Sequence, residues 1–217
     1  MSTVIRRATE ADKDFLITSI IEAEKSGSDV ISYCAIFSIT EPELRELLGN
    51  ILDEDIEGQE LCIPNFLIAE VNGEKAAAIS GWVKQDMGMA GTMLKGNLYM
   101  YFLGQEKMIS AAPSLTLMNE VNIDRENDTL QLECVYTNPA FRGRGLSRQL
   151  IDEHIRLQQA EGIPFSKVQI QLLKNNESAI KAYQKGGFSI VMEKKAADTA
   201  ILKLLPCDTK ILMEKHI

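Results

Sequence analysis

The chain has 217 residues, 45% of them hydrophobic and 25% charged, which is ordinary globular usage and excludes a disordered tail, a coiled coil and a collagen-like repeat. Its 23 Lys plus Arg stand against 31 Asp plus Glu for a net charge of −8, an unfavourable balance for lying along nucleic-acid phosphates. No apolar run approaches the roughly 20 residues that span a bilayer, and Met1 to Glu10 lacks the apolar stretch of a signal peptide, so a soluble, cytoplasmic, single-domain protein is expected. Cys34, Cys62, Cys134 and Cys207 show no CxxC pairing and lie away from His154 and His216 in the sequence. Reduced, buried thiols are therefore expected, with no metal site and no disulfide framework.

In chain order, Val4 to Arg7 reads as a short strand, and Thr9-Glu10-Ala11-Asp12 as a capping box that opens a helix carrying Phe15, Leu16, Ile20 and Ile21, broken at Ser26-Gly27-Ser28. Thr40-Glu41-Pro42-Glu43 supplies a cap, a first-turn proline and an acid to a second helix whose Leu44, Leu47, Leu48, Ile51 and Leu52 form one stripe. From Glu41 to Glu60 eight acidic residues face Arg45 alone, which is either a solvated face or a surface that attracts a cation. Phe66 to Val71, Asn72-Gly73 and Lys75 to Val83 read as a hairpin, because Asn-Gly suits the positive φ angles of a type I′ turn. Lys84 to Asp128, with Met87, Met89, Met93, Met100 and Met108 and the segment Gln105 to Met118, has no clean period and is expected to be helical in part. Its methionines suit either core filling or an adaptable wall. Thr129 to Thr137 then reads as a strand, Leu146 to Gln159 as a helix, Lys167 to Leu173 as a strand, and Asn176 as the cap of a helix running through Lys185 to Gly186-Gly187. Phe188 to Glu193 and Ala200 to Leu205 are the last expected strands, giving a mixed α/β layer structure.

The chemistry concentrates between Val135 and Ser147, where a strand passes through a turn rich in Gly and Arg into a helix start. Free amides of a helix's first turn favour an anion, and glycines permit close approach of the backbone. Four of the eight arginines, Arg142, Arg144, Arg148 and Arg156, fall in this region of an otherwise acidic chain. The two common nucleotide motifs fail on spacing: a third glycine of GxGxxG would stand where Arg148 does, and no GxxxxGK[ST] occurs.

Arg142, Gly145 and Ser147 resemble the (Gln/Arg)-x-x-Gly-x-(Gly/Ala) signature of the GNAT superfamily of acetyl-coenzyme A dependent N-acetyltransferases, Ser147 departing from Gly/Ala by one small side chain. Asn176, Ala179, Tyr183 and Gly187-Phe188 resemble that family's Asn-x-x-Ala-x-x-x-Tyr-x-x-x-Gly-Phe element. The likeness is close over 129–205 and loose over 1–83, with a longer insert at about 84–128. It implies a mostly antiparallel mixed sheet flanked by helices and acetyl-CoA as cosubstrate. By that resemblance the amides of Arg142, Gly143, Arg144, Gly145, Leu146 and Ser147 hold the pyrophosphate, and the backbone of Val135, Tyr136 and Thr137 pairs with the pantetheine arm. Asn176 bonds that arm beside Ala179, and Tyr183 serves as general acid to the leaving thiolate.

A lysine-like amine, half-protonated only near pH ~10.4, must lose a proton before it attacks. Gln171 stands where some relatives carry a glutamate, so Glu133, on the strand before the loop, is the candidate base. Cys134 and His154 are expected in the core. The expected function is acetyl transfer to a primary amine by direct attack, with a small cationic amine as first choice of acceptor and a protein N-terminal or lysine amine as second. A non-catalytic acyl-coenzyme A binding module is the alternative. Neither nucleic acid nor membrane is expected as a partner, and a homodimer is left open.

Overall fold

The computed structural model describes residues 2–54, 56, 60–84 and 91–217, the side chains of 91–93 excepted. Asp55, Glu57, Met87 and Met89 of the patterns above lie outside the described residues. Strand β1 (Thr3–Arg7) leads into a short turn in which Asp12 accepts from the Thr9 amide at 2.9 Å, and helix α1 (Lys13–Glu24) follows. Helix α2 (Ser32–Phe37), for which no expectation was formed, is too short for a periodic stripe to be read. The capping box of α3 (Glu41–Asp53) forms as expected: the Thr40 amide donates to Glu43 at 2.7 Å, and Leu44, Leu47, Leu48, Ile51 and Leu52 are buried.

Strands β2 (Phe66–Val71) and β3 (Glu74–Lys84) make the expected hairpin, with Asn72 at φ 54° and Gly73 at φ 85°. The partly helical expectation for Lys84 to Asp128 resolves into α4 (Gly91–Asn119), interrupted at Gly104, whose φ of 79° and ψ of 164° leave the helical region. Strand β4 (Thr129–Thr137), helix α5 (Leu146–Ala160), strand β5 (Lys167–Leu173) and helix α6 (Glu177–Lys185) match their expected positions. Strand β6 spans Ser189–Lys195 and β7 spans Thr209–His216.

One expected strand is corrected. Ala200 to Leu205 belongs to a 3₁₀ turn, Thr199–Lys203, capped by Asp198, which accepts from the Ala200 amide at 2.8 Å. Its buried Ile201, Leu204 and Leu205 stand at i, i+3 and i+4, a helical spacing, while Leu202 is 51% exposed. An apolar run of six cannot be assigned by composition alone.

The seven strands form one sheet in the order β1-β2-β3-β4-β5-β7-β6, antiparallel except where β4 runs parallel to β5. Side chains alternate between its faces, so Phe66 and Ile68 join a core with α1, α2, α3 and α4, while Leu67 and Ala69 join one with α5 and α6. His154 of α5 is buried on the second face, its Nε2 3.4 Å from the Ile79 carbonyl.

Candidate active site

The site begins with a defect in the sheet. Strand β4 pairs with β3 through Thr137, but its register slips by one residue between Glu133 and Tyr136, and Cys134 sits at φ 52°, a β-bulge. On its other side β4 pairs with β5 only from Thr129 to Leu132. Beyond that the strands part, and β4 turns from buried to half-buried at Glu133. The backbone of Val135 to Thr137 therefore presents an unpaired edge, the kind of edge an extended ligand can join.

The turn after β4 brings that edge to the helix start. The Arg142 Nε donates to the Thr137 carbonyl at 3.2 Å, and the Arg144 guanidinium lies 5.1 Å from the centre of the Phe141 ring. Gly143 and Gly145 adopt φ 77° and 69°, and a Cβ built on either would meet nothing within 4 Å. Backbone conformation, and the open space in front of it, are what call for glycine here. Gly145 is the N-cap of α5 and no side chain caps that end, so the first-turn amides face outward beside an exposed loop. A phosphate group fits that cradle.

Between β4, β5, α1, α2 and α4 lies a cavity of about 340 Å³. One side of it is formed by Cys134, Val135, Gln171, Leu172, Leu173, Asn176, Ala179 and Tyr183. Asn176 caps α6, accepting from the Ala179 amide at 3.3 Å. Tyr183 is 7% exposed, and burial, together with the charge of Glu133, holds its phenol well above the ordinary range, so it stays protonated. No residue among those described hydrogen-bonds its hydroxyl, which leaves a proton donor on the cavity wall.

The other side carries charge. Glu133 Oε1 accepts from Arg125 at 2.6 Å, and Arg125 also lies 3.9 Å from Glu60. Glu60 is paired with Lys95 of α4; burial works against its ionisation, but the two cations outweigh burial and hold its carboxyl below the ordinary range. Glu24 of α1 and Lys210 of β7 complete the charged lining. The segment 84–128 contributes Lys95, Leu115, Met118, Asn122 and Arg125 to this wall.

Of the residues singled out from the sequence, the structure brings Glu133, Val135, Asn176, Ala179 and Tyr183 onto one cavity, while Tyr136, Thr137 and Arg142 to Ser147 do not line it; sequence reasoning missed Glu24, Lys95, Arg125 and Lys210, which no motif marks. Gln171 donates to the Ile123 carbonyl at 2.9 Å and so ties down the segment after α4. The acidic stretch does not form the cavity: of its described residues only Glu60 lines it, while Glu41 pairs with Arg45 and Asp53 with Lys13 on the outer side of α3. Cys134 lines the cavity, its thiol pushed far up by burial and so no ready nucleophile. Among the described residues no group of three His, Cys, Asp or Glu is placed to hold a metal ion, and no helix is long and apolar enough to cross a membrane.

Residues 116–190 match the family model of the acetyltransferase (GNAT) domain. No curated protein matches the chain. Among solved structures it is similar to an N-acetyltransferase from Staphylococcus aureus, at 14% identity over 97% of this chain and 99% of that one, with a TM-score of 0.62. It is similar to an agmatine N-acetyltransferase at 14% identity over the whole of both chains, with a TM-score of 0.59. A third, yncA of Salmonella typhimurium, crystallised with its cofactor acetyl-CoA, is 14% identical over 100% of this chain and 94% of that one, with a TM-score of 0.54. At these identities the likeness is one of fold.

Proposed function

We propose that this chain, whose residues 116–190 match the acetyltransferase (GNAT) domain and whose fold is that of solved acetyltransferases, moves an acetyl group from acetyl-CoA to the primary amine of a small molecule by direct attack. The observation that carries the reading is the parting of β4 from β5 after Leu132 and Ile170, directly above a cavity that holds the Tyr183 side chain. When bound, acetyl-CoA supplies an acetyl group activated as a thioester.

The residues of the chain divide the remaining work. Amides of Arg142 to Ser147, on the positive end of α5, would take the pyrophosphate, with Arg142 and Arg144 adding charge at the loop. The open edge of Val135 to Thr137 would take the amides of the pantetheine arm as an added strand, and Asn176 would bond the arm from the opposite side while capping α6. Free N–H groups on that edge, held in place before any ligand arrives, favour an oxygen that gains negative charge. Tyr183, kept protonated by burial, would donate its proton to a departing thiolate. Glu133, on the cavity wall with its Oε1 bonded to Arg125, would draw the proton from the acceptor. A cavity of about 340 Å³, partly open to solvent, is of a size that suits a small amine. The wall built by 84–128 would then select the acceptor.

The test is a thermal-shift titration with coenzyme A, acetyl-CoA and ATP, coupled to release of free thiol over a panel of amines. Coenzyme A species should raise the melting temperature by mass action while ATP does not. Tyr183→Phe should keep that shift and lose thiol release by about 10²-fold, within the range general acids contribute. A shift with no release for any amine would favour an acyl-coenzyme A binding module.

A further inference from the structure

Six charged side chains line the cavity: Glu24, Glu60, Lys95, Arg125, Glu133 and Lys210. Four of them satisfy one another, Glu60 with Lys95 and Arg125 with both Glu133 and Glu60. The other two do not. Among the described residues Glu24 is met by the Ser32 hydroxyl alone, with no cation within ion-pair distance, and the Lys210 ammonium has neither hydrogen bond nor ion pair. Burial opposes the charge on both, pushing the Glu24 carboxyl up and the Lys210 ammonium down. The Arg125 Nε is likewise buried without a partner on the same wall.

Both side chains are half-buried, and a charge partly withdrawn from water favours a counter-charge. Here one charge of each sign, from α1 and from the start of β7, lines the same cavity with no ion pair formed between them, although each acts on the other through space. A simple cationic amine would answer Glu24 and leave Lys210 unmet. An anion without an amine would answer Lys210 and have no nitrogen to acetylate. A molecule bearing both groups answers both.

We propose that the acceptor is a small amine that also carries a carboxylate, with its ammonium held by Glu24 and its carboxylate by Lys210. This rests on the acetyl-transfer reading and specifies its substrate class. Lys210 lies opposite Leu173 in the β5–β7 pairing, so its backbone is set by the sheet, and Glu24 is held by its bond to Ser32 at the start of α2. The two anchors thus stand on separate rigid elements and fix a distance between amine and carboxylate, which is how a site selects one spacing among amino acids. Glu133, whose charge also acts on both anchors, lines the same cavity beside its partner Arg125, and there it would draw the proton.

The experiment compares thiol release for amino acids, each beside the amine that lacks its carboxylate, such as leucine with isopentylamine and lysine with cadaverine. In the wild-type chain kcat/KM should favour at least one carboxylated member over its partner by about tenfold or more, the effect of one charge-assisted contact. Lys210→Met keeps the aliphatic stem and should erase that preference by raising KM for the carboxylated member by more than for its decarboxylated partner, while the coenzyme A thermal shift persists; Lys210→Arg should retain it. Glu24→Gln should raise KM for both members of a pair. Equal or better turnover of the decarboxylated amines, no turnover of any member, or a loss of coenzyme A binding in Lys210→Met would each overturn the proposal while leaving the coenzyme site standing. Absence of any coenzyme A shift in the wild-type chain would overturn the transfer reading itself, and this inference with it.

Discussion

Gly145 holds the αL conformation, at φ 69°, at the N-cap of α5, where a side chain would be strained and would also occupy the space in front of the first-turn amides. Gly145→Ala should cost about 1 kcal/mol of stability, a melting shift of about 2–4 °C for a chain of this size, and weaken coenzyme A by about tenfold. Isothermal titration checks the affinity, and an unchanged affinity would show that the loop holds no phosphate. This residue was legible because glycine, arginine and a helix start speak through local backbone chemistry. Gly81 was not. Its missing Cβ would lie 2.9 Å from ring atoms of His154, so the glycine makes room for the imidazole, and the two residues are far apart in the chain. Glu24 and Lys210 were hidden for the same reason: a glutamate on a helix and a lysine on a strand are solvated by default, and only the fold brings these two, half-buried, to one cavity wall.

Elements with a local signature were read closely. The Thr40 to Glu43 box, the Asn72-Gly73 turn and the Asn176 cap each carry their own hydrogen bonds within a few residues, and each forms. The box at Thr9 does more than start a helix. Asp12, 1% exposed, takes two bonds from the Arg6 guanidinium at 2.7 and 2.9 Å and an ion pair from Lys75 at 2.7 Å, tying β1, α1 and β3 together. Arg6 lies 34% exposed and keeps Glu70 as a second partner, so the loss in Asp12→Asn is discounted from the value for a fully buried pair to about 2–3 kcal/mol. Urea denaturation should report that loss, whereas Glu177→Ala on the exposed start of α6 should stay within about 0.5 kcal/mol. A loss as small as the control's would mean that the Asp12 bonds do not tie the sheet to α1. Helix α2, the turn Thr199–Lys203 and strand β7 escaped because their apolar residues answer to neighbours across the fold rather than to a period of their own.

At the scale of the whole molecule, acid sensitivity follows from two groups of opposite kind. His154 is 1% exposed, and burial lowers its imidazole to about 4. Its unfolded value is near 6.5, so below that the unfolded chain binds the extra proton: the contribution is complete above pH 6.5 and lost as pH falls toward 4, by up to about 3 kcal/mol. Asp12, whose carboxyl the Arg6 guanidinium holds far below its usual range against burial, adds a loss only under pH ~3.9. Stability measured against pH should therefore fall in two stages, and His154→Leu should flatten the upper one; an unchanged upper slope would assign it to other groups. What the sequence by itself determined is the placing of β1 to β5, of α1, α3 and α5, of the Gly-Arg loop and of the Tyr183 helix, because caps, turns and glycine angles are decided within a few residues of chain. What only the tertiary structure decided is the parting of β4 from β5, the pairing that engages Glu133 with Arg125, the retreat of the acidic face of α3 from the cavity, and the meeting of Glu24 and Lys210 on its wall. Those depend on which distant segments meet, and burial assigns their energies only after they have met.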